Sequence, residues 1–341
     1  MELRKLAAEK GLIYGTAISA ASIASDPEFV DLVLQQAEAV VAENDMKWHA
    51  LNRGRPGDEN YAHADTVATF ALESGLVLRG HNLLWYRSTP RWFSDLRTYR
   101  QKEGAIVSHI RDLTGRYRGK VGSWDVVNEP IEPRNGRPDG LRTAVFVDKL
   151  GPDYIDLAYH TARESDPTAR LVVNEYGVEL DAPEHEARRV ALLKLLQRMQ
   201  RMQRSGTPVD AVGIQAHLPC AGGLPFSASR LRRFLAEIAG LGLTIQITEL
   251  DVIDNNAPAD RTTRDRMVAD AYSRFLDAAL DEPAVKMVLT WGLSDRYSWL
   301  AGSRSDQLPA RPLPFGADLE PKPALEAMTR AFTHAASRRA E

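Results

Sequence analysis

Two glutamates in this chain each stand at the end of an apolar run, and together they could cleave a glycosidic bond. Glu129 ends the run WDVVNE, and Glu249 ends the run IQITE. Retaining glycoside hydrolysis needs one carboxyl group to protonate the leaving oxygen and a second to attack the sugar carbon. We therefore predict Glu129 as the general acid/base and Glu249 as the nucleophile. The alternative for each is a strand-end carboxylate that only faces solvent or forms a salt bridge.

Three nearby side chains could support these carboxylates. Asn128 precedes Glu129 and could hold the 2-hydroxyl of the sugar, a contact that tightens in the transition state. His217 could orient an ionised Glu249, with Asp251 fixing the other side of the imidazole ring. The alternative for His217 is a hydrogen-bonded histidine of the core.

Three tryptophans offer apolar surfaces on which the C–H faces of sugars could stack. Trp291 and Trp299 flank the polar segment SDRYS, which argues against both being core residues, and Trp85 follows another apolar run. Lys47 could donate to sugar hydroxyls, and His81 could line the same cleft. The alternatives are packing for the rings, a solvated surface for the lysine and a place in the core for the histidine.

Short apolar runs alternate with longer amphipathic segments, which is the pattern of a parallel α/β sheet. The predicted strands are Ile13–Ile18, Ala39–Asn44, Leu76–Trp85, Ser123–Glu129, Arg170–Tyr176, Ala211–Leu218, Thr244–Val252 and Val285–Leu293. The predicted helices include Tyr154–Ser165, Ala187–Ser205, Arg230–Leu241 and Arg264–Asp281. Eight such units predict a (β/α)8 TIM barrel, a single catalytic domain over residues 1–341 without a carbohydrate-binding module. The segments Pro219–Ser229 and Ala301–Pro314 are predicted long loops after strands six and eight.

Polar residues gather at the C-terminal ends of these strands, which meet at one face of a barrel, where active sites lie. They are Glu43, Asn44 and Lys47; His81, Asn82 and Trp85; Asn128 and Glu129; Asn174 and Glu175; Gln215 and His217; Glu249 and Asp251; and Trp291 and Asp295. The agreement of seven separate runs predicts an active-site cleft at that face.

Composition and motifs exclude several other classes of protein. The 341 residues are 44% hydrophobic and 26% charged, with a net charge of −3, so neither a nucleic acid nor a membrane partner is indicated. No zinc, dinucleotide or Walker signature is present, and we expect no metal and no cofactor. A single cysteine precludes an internal disulfide. The charged N-terminus is no signal peptide, so we expect either a cytoplasmic protein or one whose leader has been removed.

The motifs taken together resemble glycoside hydrolase family 10, the endo-1,4-β-xylanases. The resemblance runs over roughly residues 10–330 and rests on ENDMKW (43–48), RGHNLLW (79–85), TPRW (89–92), WDVVNE (124–129), GIQAHL (213–218), ITELD (247–251), WGLSDRYSW (291–299) and KPA (322–324). It implies a (β/α)8 fold and retaining cleavage of β-1,4-xylan, with Glu129 as acid/base and Glu249 as nucleophile. It places His217 on the nucleophile and Asp251 behind it. The substrate contacts that it implies are Glu43, Asn44, Lys47, His81, Trp85, Asn128, Gln215, Trp291 and Trp299.

Three positions depart from the family pattern, all near the cleft. Ser88 stands where the family has a glutamine that contacts the sugar, and Gly177 replaces an asparagine. His49 stands after Trp48 where the family usually has an aspartate, and the following loop, Asn52–Tyr61, fits the pattern poorly. The resemblance therefore leaves substrate grip and preferred chain length open.

The sequence thus predicts a retaining endo-1,4-β-xylanase that acts as a monomer on xylan or xylo-oligosaccharides. An alternative is a retaining β-glycosidase with the same mechanism on another glycoside, since the glycone subsite is altered at Ser88. A second alternative is a non-catalytic sugar-binding barrel, against which the presence of both carboxylates argues. An aldolase-like barrel is disfavoured because no lysine lies at an inner strand centre.

Overall fold

Eight parallel strands form a closed barrel in the computed structural model, which describes residues 2–201, 206–220 and 225–338. With two short strands that lie at the end of the barrel, the strands in chain order are β1 (Ile13–Ile18), β2 (Ala39–Ala42), β3 (Val77–Gly80), β4 (Leu84–Trp85), β5 (Val121–Asn128), β6 (Arg170–Glu175), β7 (Ala211–Ile214), β8 (His217–Pro219), β9 (Thr244–Ile253) and β10 (Val285–Thr290). Pairing follows the order β10-β1-β2-β3-β5-β6-β7-β9, and β9 pairs with β10 to close the barrel. The short strands β4 and β8 extend its C-terminal end by pairing with β5 and β9.

Helices connect the strands and cover the outside of the barrel, as right-handed βαβ units require. They are α1 (Leu3–Glu9), α2 (Ala20–Ser25), α3 (Pro27–Gln36), α4 (Trp48–Leu51), α5 (Ala62–Glu73), α6 (Arg91–Asp95), α7 (Tyr99–Arg116), α8 (Val147–Leu150), α9 (Tyr154–Ser165), α10 (Pro183–Arg201), α11 (Ala228–Gly240), α12 (Arg261–Ala279) and α13 (Pro323–His334). Among the residues described, none of the helices is both long enough and apolar enough to cross a membrane.

The predicted (β/α)8 barrel is confirmed, and the corrections concern where elements begin and end. The predicted strand Leu76–Trp85 is divided into β3 and β4, and Ala211–Leu218 is divided into β7 and β8. Tyr154–Ser165 is α9 with the predicted bounds. The segment 301–314 is irregular, as predicted.

Local signals explain the earlier helix starts. The predicted helix Arg264–Asp281 is α12, which begins at Arg261 because the Asp260 carboxylate caps it by accepting a hydrogen bond from the Thr263 N–H at 2.8 Å. The predicted helix Arg230–Leu241 is α11, which begins at Ala228 behind the cap residue Ser227. The predicted helix Ala187–Ser205 corresponds to α10, and its residues 202–205 lie outside the described residues, as do residues 221–224 of the predicted loop Pro219–Ser229.

The interior of the barrel carries buried charge as well as apolar side chains. Arg79 is fully buried and forms a two-pronged ion pair with Asp125, and its Nε donates to Gln246 Oε1 at 2.9 Å. The same Asp125 carboxylate lies 2.7 Å from Nδ1 of His81. This chain of contacts ties His81, at the C-terminal end of β3, to the middle of the barrel.

Candidate active site

A cleft of about 730 Å³ opens at the C-terminal ends of the barrel strands. Its walls include the following residues predicted from the sequence: Glu43, Asn44, Lys47, His81, Trp85, Asn128, Glu129, Gln215, His217, Glu249, Trp291 and Trp299. Asp251 does not line the cleft and is buried behind His217. The structure therefore places these side chains around one cleft, whereas Asn82, Asn174, Glu175 and Asp295, which the sequence also placed at this face, are buried or partly buried and do not line it.

Glu129 follows β5 and has an unusual backbone conformation. Its φ angle is 55°, in the left-handed region that residues with a Cβ rarely adopt. Its backbone N–H donates to the Asn174 carbonyl at 2.8 Å, and its own carbonyl accepts a hydrogen bond from Arg142 Nε at 2.8 Å. The carboxyl group accepts a hydrogen bond from Gln215 Nε2 at 3.3 Å. The turn thus directs the Glu129 carboxyl group into the cleft.

Glu249 lies within β9 and is held on both carboxylate oxygens. Oε1 accepts a hydrogen bond from Asn174 Nδ2 at 2.7 Å, and Oε2 lies 3.3 Å from Nε2 of His217. Burial alone would raise the pKa of Glu249, but the hydrogen bond from His217 and the positive charges around the carboxylate outweigh it and lower the pKa to about 2. Glu249 is therefore ionised and oriented at neutral pH, as a carboxylate nucleophile must be.

His217 bridges two carboxylates, as the sequence predicted. Its Nδ1 lies 2.7 Å from Asp251 Oδ1, on the side of the ring opposite Glu249. Burial disfavours the charged ring, yet the charge of Asp251 and the hydrogen bonds to both carboxylates raise the pKa of His217 well above its usual range. The ring therefore donates from both nitrogens.

Asn174 connects the two sides of the site and was not singled out from the sequence. Its Oδ1 accepts a hydrogen bond from Thr248 Oγ1 at 2.7 Å, which fixes the amide so that Nδ2 donates to Asn128 Oδ1 at 2.8 Å as well as to Glu249. Since Oδ1 of Asn128 is thereby occupied, its Nδ2 is the group left to donate to a ligand. The signal that could have found Asn174 is its place at the end of β6.

Lys47 and the aromatic residues form one wall of the cleft. Nζ of Lys47 donates to Asn44 Oδ1 at 2.9 Å and lies 4.9 Å from the ring centroid of Trp85 and 5.8 Å from that of Trp291. Burial lowers the pKa of Lys47, although the carboxylates near it oppose that change. Burial likewise raises the pKa of Glu43. This wall combines a donor, an acceptor and apolar rings, as sugar recognition requires.

Trp299 is half exposed, with 50% of its surface accessible, although its Nε1 donates to Asp251 Oδ2 at 2.6 Å. That hydrogen bond fixes the ring beside His217, at 5.3 Å between centroids. Its free surface is available for stacking, so it is not a core residue. Trp291 is nearly buried and packs edge-on against His81 at 5.1 Å.

The three departures from the family pattern have different structural consequences. Ser88 is fully buried, its Oγ has no hydrogen-bond partner among the residues that the structure describes, and it is not among those that line the cleft. Gly177 does line the cleft, with φ 68°, and a Cβ placed there would lie 3.0 Å from Cδ of Arg188. His49 lines a smaller cavity of about 350 Å³ that shares Asn44 with the cleft. Two of the three positions therefore border space that a ligand can enter.

A buried cluster beneath Glu129 contains Glu175, which the sequence placed at this face without a role, and Arg188, which it missed. Glu175 accepts hydrogen bonds from the backbone N–H groups of Ile131 at 2.8 Å and Tyr176 at 3.1 Å, and Arg188 Nη1 lies 3.4 Å from it. Burial, assisted by the charge of Glu129 and opposed by that of Arg188, raises the pKa of Glu175 to about 8. Arg188 comes from helix α10, and no pattern in the sequence indicates that approach.

The arrangement has the parts of a double displacement. An ionised carboxylate is fixed on one side, and a second carboxyl group, which accepts a hydrogen bond from the Gln215 amide, faces the same cleft. Within the described residues, no three His, Cys, Asp or Glu side chains are grouped so that they could hold a metal ion. The expectation that no cofactor is needed stays a prediction.

The family model described as glycosyl hydrolase family 10 matches residues 2–331. Endo-1,4-beta-xylanase 1 from Humicola insolens is 33% identical over 303 residues, which cover 88% of this chain and 67% of that protein. Endo-1,4-beta-xylanase A from Fusarium oxysporum f. sp. lycopersici is 32% identical over 300 residues, which cover 85% of this chain and 86% of that protein.

Solved structures give the same result. The crystal structure of native xylanase 10B from Thermotoga maritima superposes with a TM-score of 0.84 at 28% identity, covering 97% of this chain and 98% of that chain. Xylanase 10B from Thermotoga petrophila RKU-1, solved in complex with xylobiose, also has a TM-score of 0.84 at 28% identity, covering 97% of each chain.

Proposed function

The chain belongs to glycosyl hydrolase family 10, and we propose that it is a retaining endo-1,4-β-xylanase that hydrolyses xylan or xylo-oligosaccharides. The observation that carries this proposal is the unequal treatment of two carboxyl groups in one cleft. Glu249 is fixed by His217 and Asn174 as an ionised carboxylate, whereas the side-chain donor to the Glu129 carboxyl group, within the part of the chain that the structure describes, is the Gln215 amide.

In the first step, Glu249 attacks the anomeric carbon of the sugar while Glu129 protonates the departing oxygen, so the glycosidic bond breaks and a glycosyl ester forms. In the second step, ionised Glu129 removes a proton from water, which attacks the same carbon and releases Glu249. Two inversions give net retention. Asn128 Nδ2 supplies a donor for the 2-hydroxyl of the reacting sugar, where such a contact stabilises the transition state.

His217 keeps Glu249 ready in both steps. The positive charge of His217, stabilised by Asp251, favours the ionised form of Glu249. This is the form that attacks the sugar in the first step and leaves it in the second. Lys47 and Trp85 offer a donor and a stacking surface for sugars bound beside the reacting one. The relatives' names favour xylan over another glycoside as the substrate of this chain.

Product analysis by proton NMR tests the proposal. Purified protein is given xylotetraose, xylopentaose and xylohexaose, and the anomeric signals are followed with time. Appearance of the β-anomer first, from cleavage at internal bonds, is the expected result. The α-anomer first would contradict the retaining assignment, and cleavage of an aryl cellobioside with no cleavage of any xylo-oligosaccharide would support the alternative glycosidase.

A further inference from the structure

The backbone of Glu129 needs external support, because its left-handed conformation is unfavourable for a residue with a Cβ. Its N–H is held by the Asn174 carbonyl on β6. Its carbonyl is held by a side chain, Arg142, whose Nε donates to it at 2.8 Å. Arg142 is thus bonded to the main chain of the acid/base residue itself.

Arg142 reaches this position because its segment runs back along the residues that follow Glu129. The Arg142 backbone N–H donates to the Pro130 carbonyl at 2.7 Å, and Ile131 and Leu141 form an antiparallel bridge. The guanidinium Nη2 donates to the Ile131 carbonyl at 3.1 Å. One side chain therefore holds the carbonyls on both sides of Pro130.

The guanidinium is also fixed against two tyrosines that line the cleft. Nη2 lies 3.2 Å from the Tyr176 hydroxyl, and the group lies 4.3 Å from the ring centroid of Tyr86. Glu132 lies 3.5 Å from Nη1, and the same carboxylate accepts a hydrogen bond from Arg188 Nη2 at 2.6 Å. These contacts use the planar fork and the flat face of arginine, which lysine does not have.

We propose that Arg142 is a positioning residue for the acid/base: it holds the main chain of Glu129 and couples it to the cleft wall formed by Tyr86 and Tyr176. This inference rests on the proposed function, since it takes Glu129 to be the proton donor. Arg142 contacts the carbonyl and not the carboxyl group, so it acts on the geometry of proton transfer. Its loss should therefore impair the step that needs a proton far more than the attack by Glu249.

The test compares two aryl β-xylobiosides that differ only in the leaving group. With the phenyl compound, a poor leaving group, departure depends on protonation; with the 2,4-dinitrophenyl compound it hardly does. We expect Arg142→Lys to reduce kcat/KM by on the order of 10²-fold for the phenyl compound and by less than about threefold for the dinitrophenyl compound. Arg137→Lys is the matched control, because Arg137 lies on the same loop and its guanidinium pairs with Asp139 rather than with Glu129.

Several outcomes would overturn the proposal. Equal losses on both substrates would assign Arg142 a general packing role. An unchanged Arg142→Lys variant would show that the carbonyl contact is dispensable. If circular dichroism shows that Arg142→Lys does not fold, Tyr176→Phe serves as a second variant, because it removes a hydroxyl that bonds the guanidinium. It should give a smaller loss of kcat/KM with the same dependence on the leaving group. A loss that is equal for both compounds would again refute the role. Wild-type protein that cleaves neither xylobioside would instead refute the proposed function.

Discussion

Nε2 of His217 lies 3.3 Å from Oε2 of Glu249, and both groups carry charge in the folded protein. Asp251 lies on the far side of the imidazole ring at 2.7 Å, so the ring's positive charge is balanced from two directions. An ion pair in a site of low polarity persists only when its partners are fully hydrogen-bonded. The proposed nucleophile is therefore part of a three-residue unit.

The pH dependence of the reaction should reveal this unit. In the wild type the pKa of Glu249 is about 2, so the carboxylate stays ionised well into the acid range. In His217→Asn, burial is no longer opposed by the positive ring, and the pKa of Glu249 rises. We expect the acid limb of kcat/KM for a dinitrophenyl xylobioside to move up by about one pH unit or more. His160→Asn is the control, because His160 is exposed on α9. An acid limb that does not move in His217→Asn would contradict the ion pair.

Removing the proposed acid/base, Glu129, should have effects that depend on the leaving group. We expect Glu129→Ala to slow the cleavage of xylan and phenyl xylobioside by about 10²–10⁴-fold and the first step with a dinitrophenyl xylobioside far less. Added azide should restore turnover of the activated substrate, because azide attacks the glycosyl ester without a general base. If the first step slows equally for good and poor leaving groups, the assignment of Glu129 is wrong.

Substitution of Asn174 should reduce activity as much as substitution of a residue that touches substrate, because Asn174 holds both Glu249 and Asn128. Asn174→Asp keeps the shape but replaces a donor by a second carboxylate close to Oε1 of Glu249. We expect kcat/KM near neutral pH to fall on the order of 10²-fold for all leaving groups, the size of effect seen when a donor at a reacting centre is lost. Thr248→Ser retains the hydroxyl that orients Asn174 and should keep near wild-type activity. A dependence on leaving group would point to Glu129 instead.

The buried Glu175 should make stability depend on pH. Its pKa is raised from 4.5 to about 8, so the folded state binds this proton more tightly than the unfolded state between those values. The contribution to stability is complete below pH 4.5 and is lost as the pH rises through 8. Glu175→Gln should therefore gain at least about 1.4 kcal/mol of unfolding free energy relative to the wild type on going from pH 5 to pH 8, the equivalent of one pKa unit. Denaturant unfolding at both values measures the difference, and an equal effect of the substitution at pH 5 and pH 8 would contradict the raised pKa.

The barrel and the positions of Glu129 and Glu249 were predictable because they follow from strand ends. Near-continuous apolar runs mark strands covered on both faces, and their C-terminal polar residues must meet. The breaks in the predicted strands at residues 81–83 and 215–216 were not predictable, because the residues there do not differ in polarity from those at the end of an unbroken strand. The predicted strand Ala211–Leu218 is broken at Ala216, whose φ angle is 62°. An alanine in the sequence gives no sign of this left-handed backbone conformation.

The support of Glu129 was hidden from sequence reasoning for a related reason. Arg142 comes from a loop and Arg188 from a helix, where arginine is ordinarily a surface residue. The bridge between Ile131 and Leu141 brings the loop back beneath Glu129. Asn174 differs, because it stood among the strand-end residues and lacked only a chemical reason to be chosen.

At Glu129, the left-handed backbone means that the side chain proposed for catalysis lowers the stability of the folded protein. Such a conformation costs about 1–2 kcal/mol for a residue with a Cβ, and glycine would not incur it. Selection for heat resistance alone would therefore favour E129G, which relieves this backbone cost and removes the carboxyl group proposed to donate the proton. A stability screen without an activity assay would enrich dead enzymes at this residue, so engineering of this barrel must fix Glu129 before it begins.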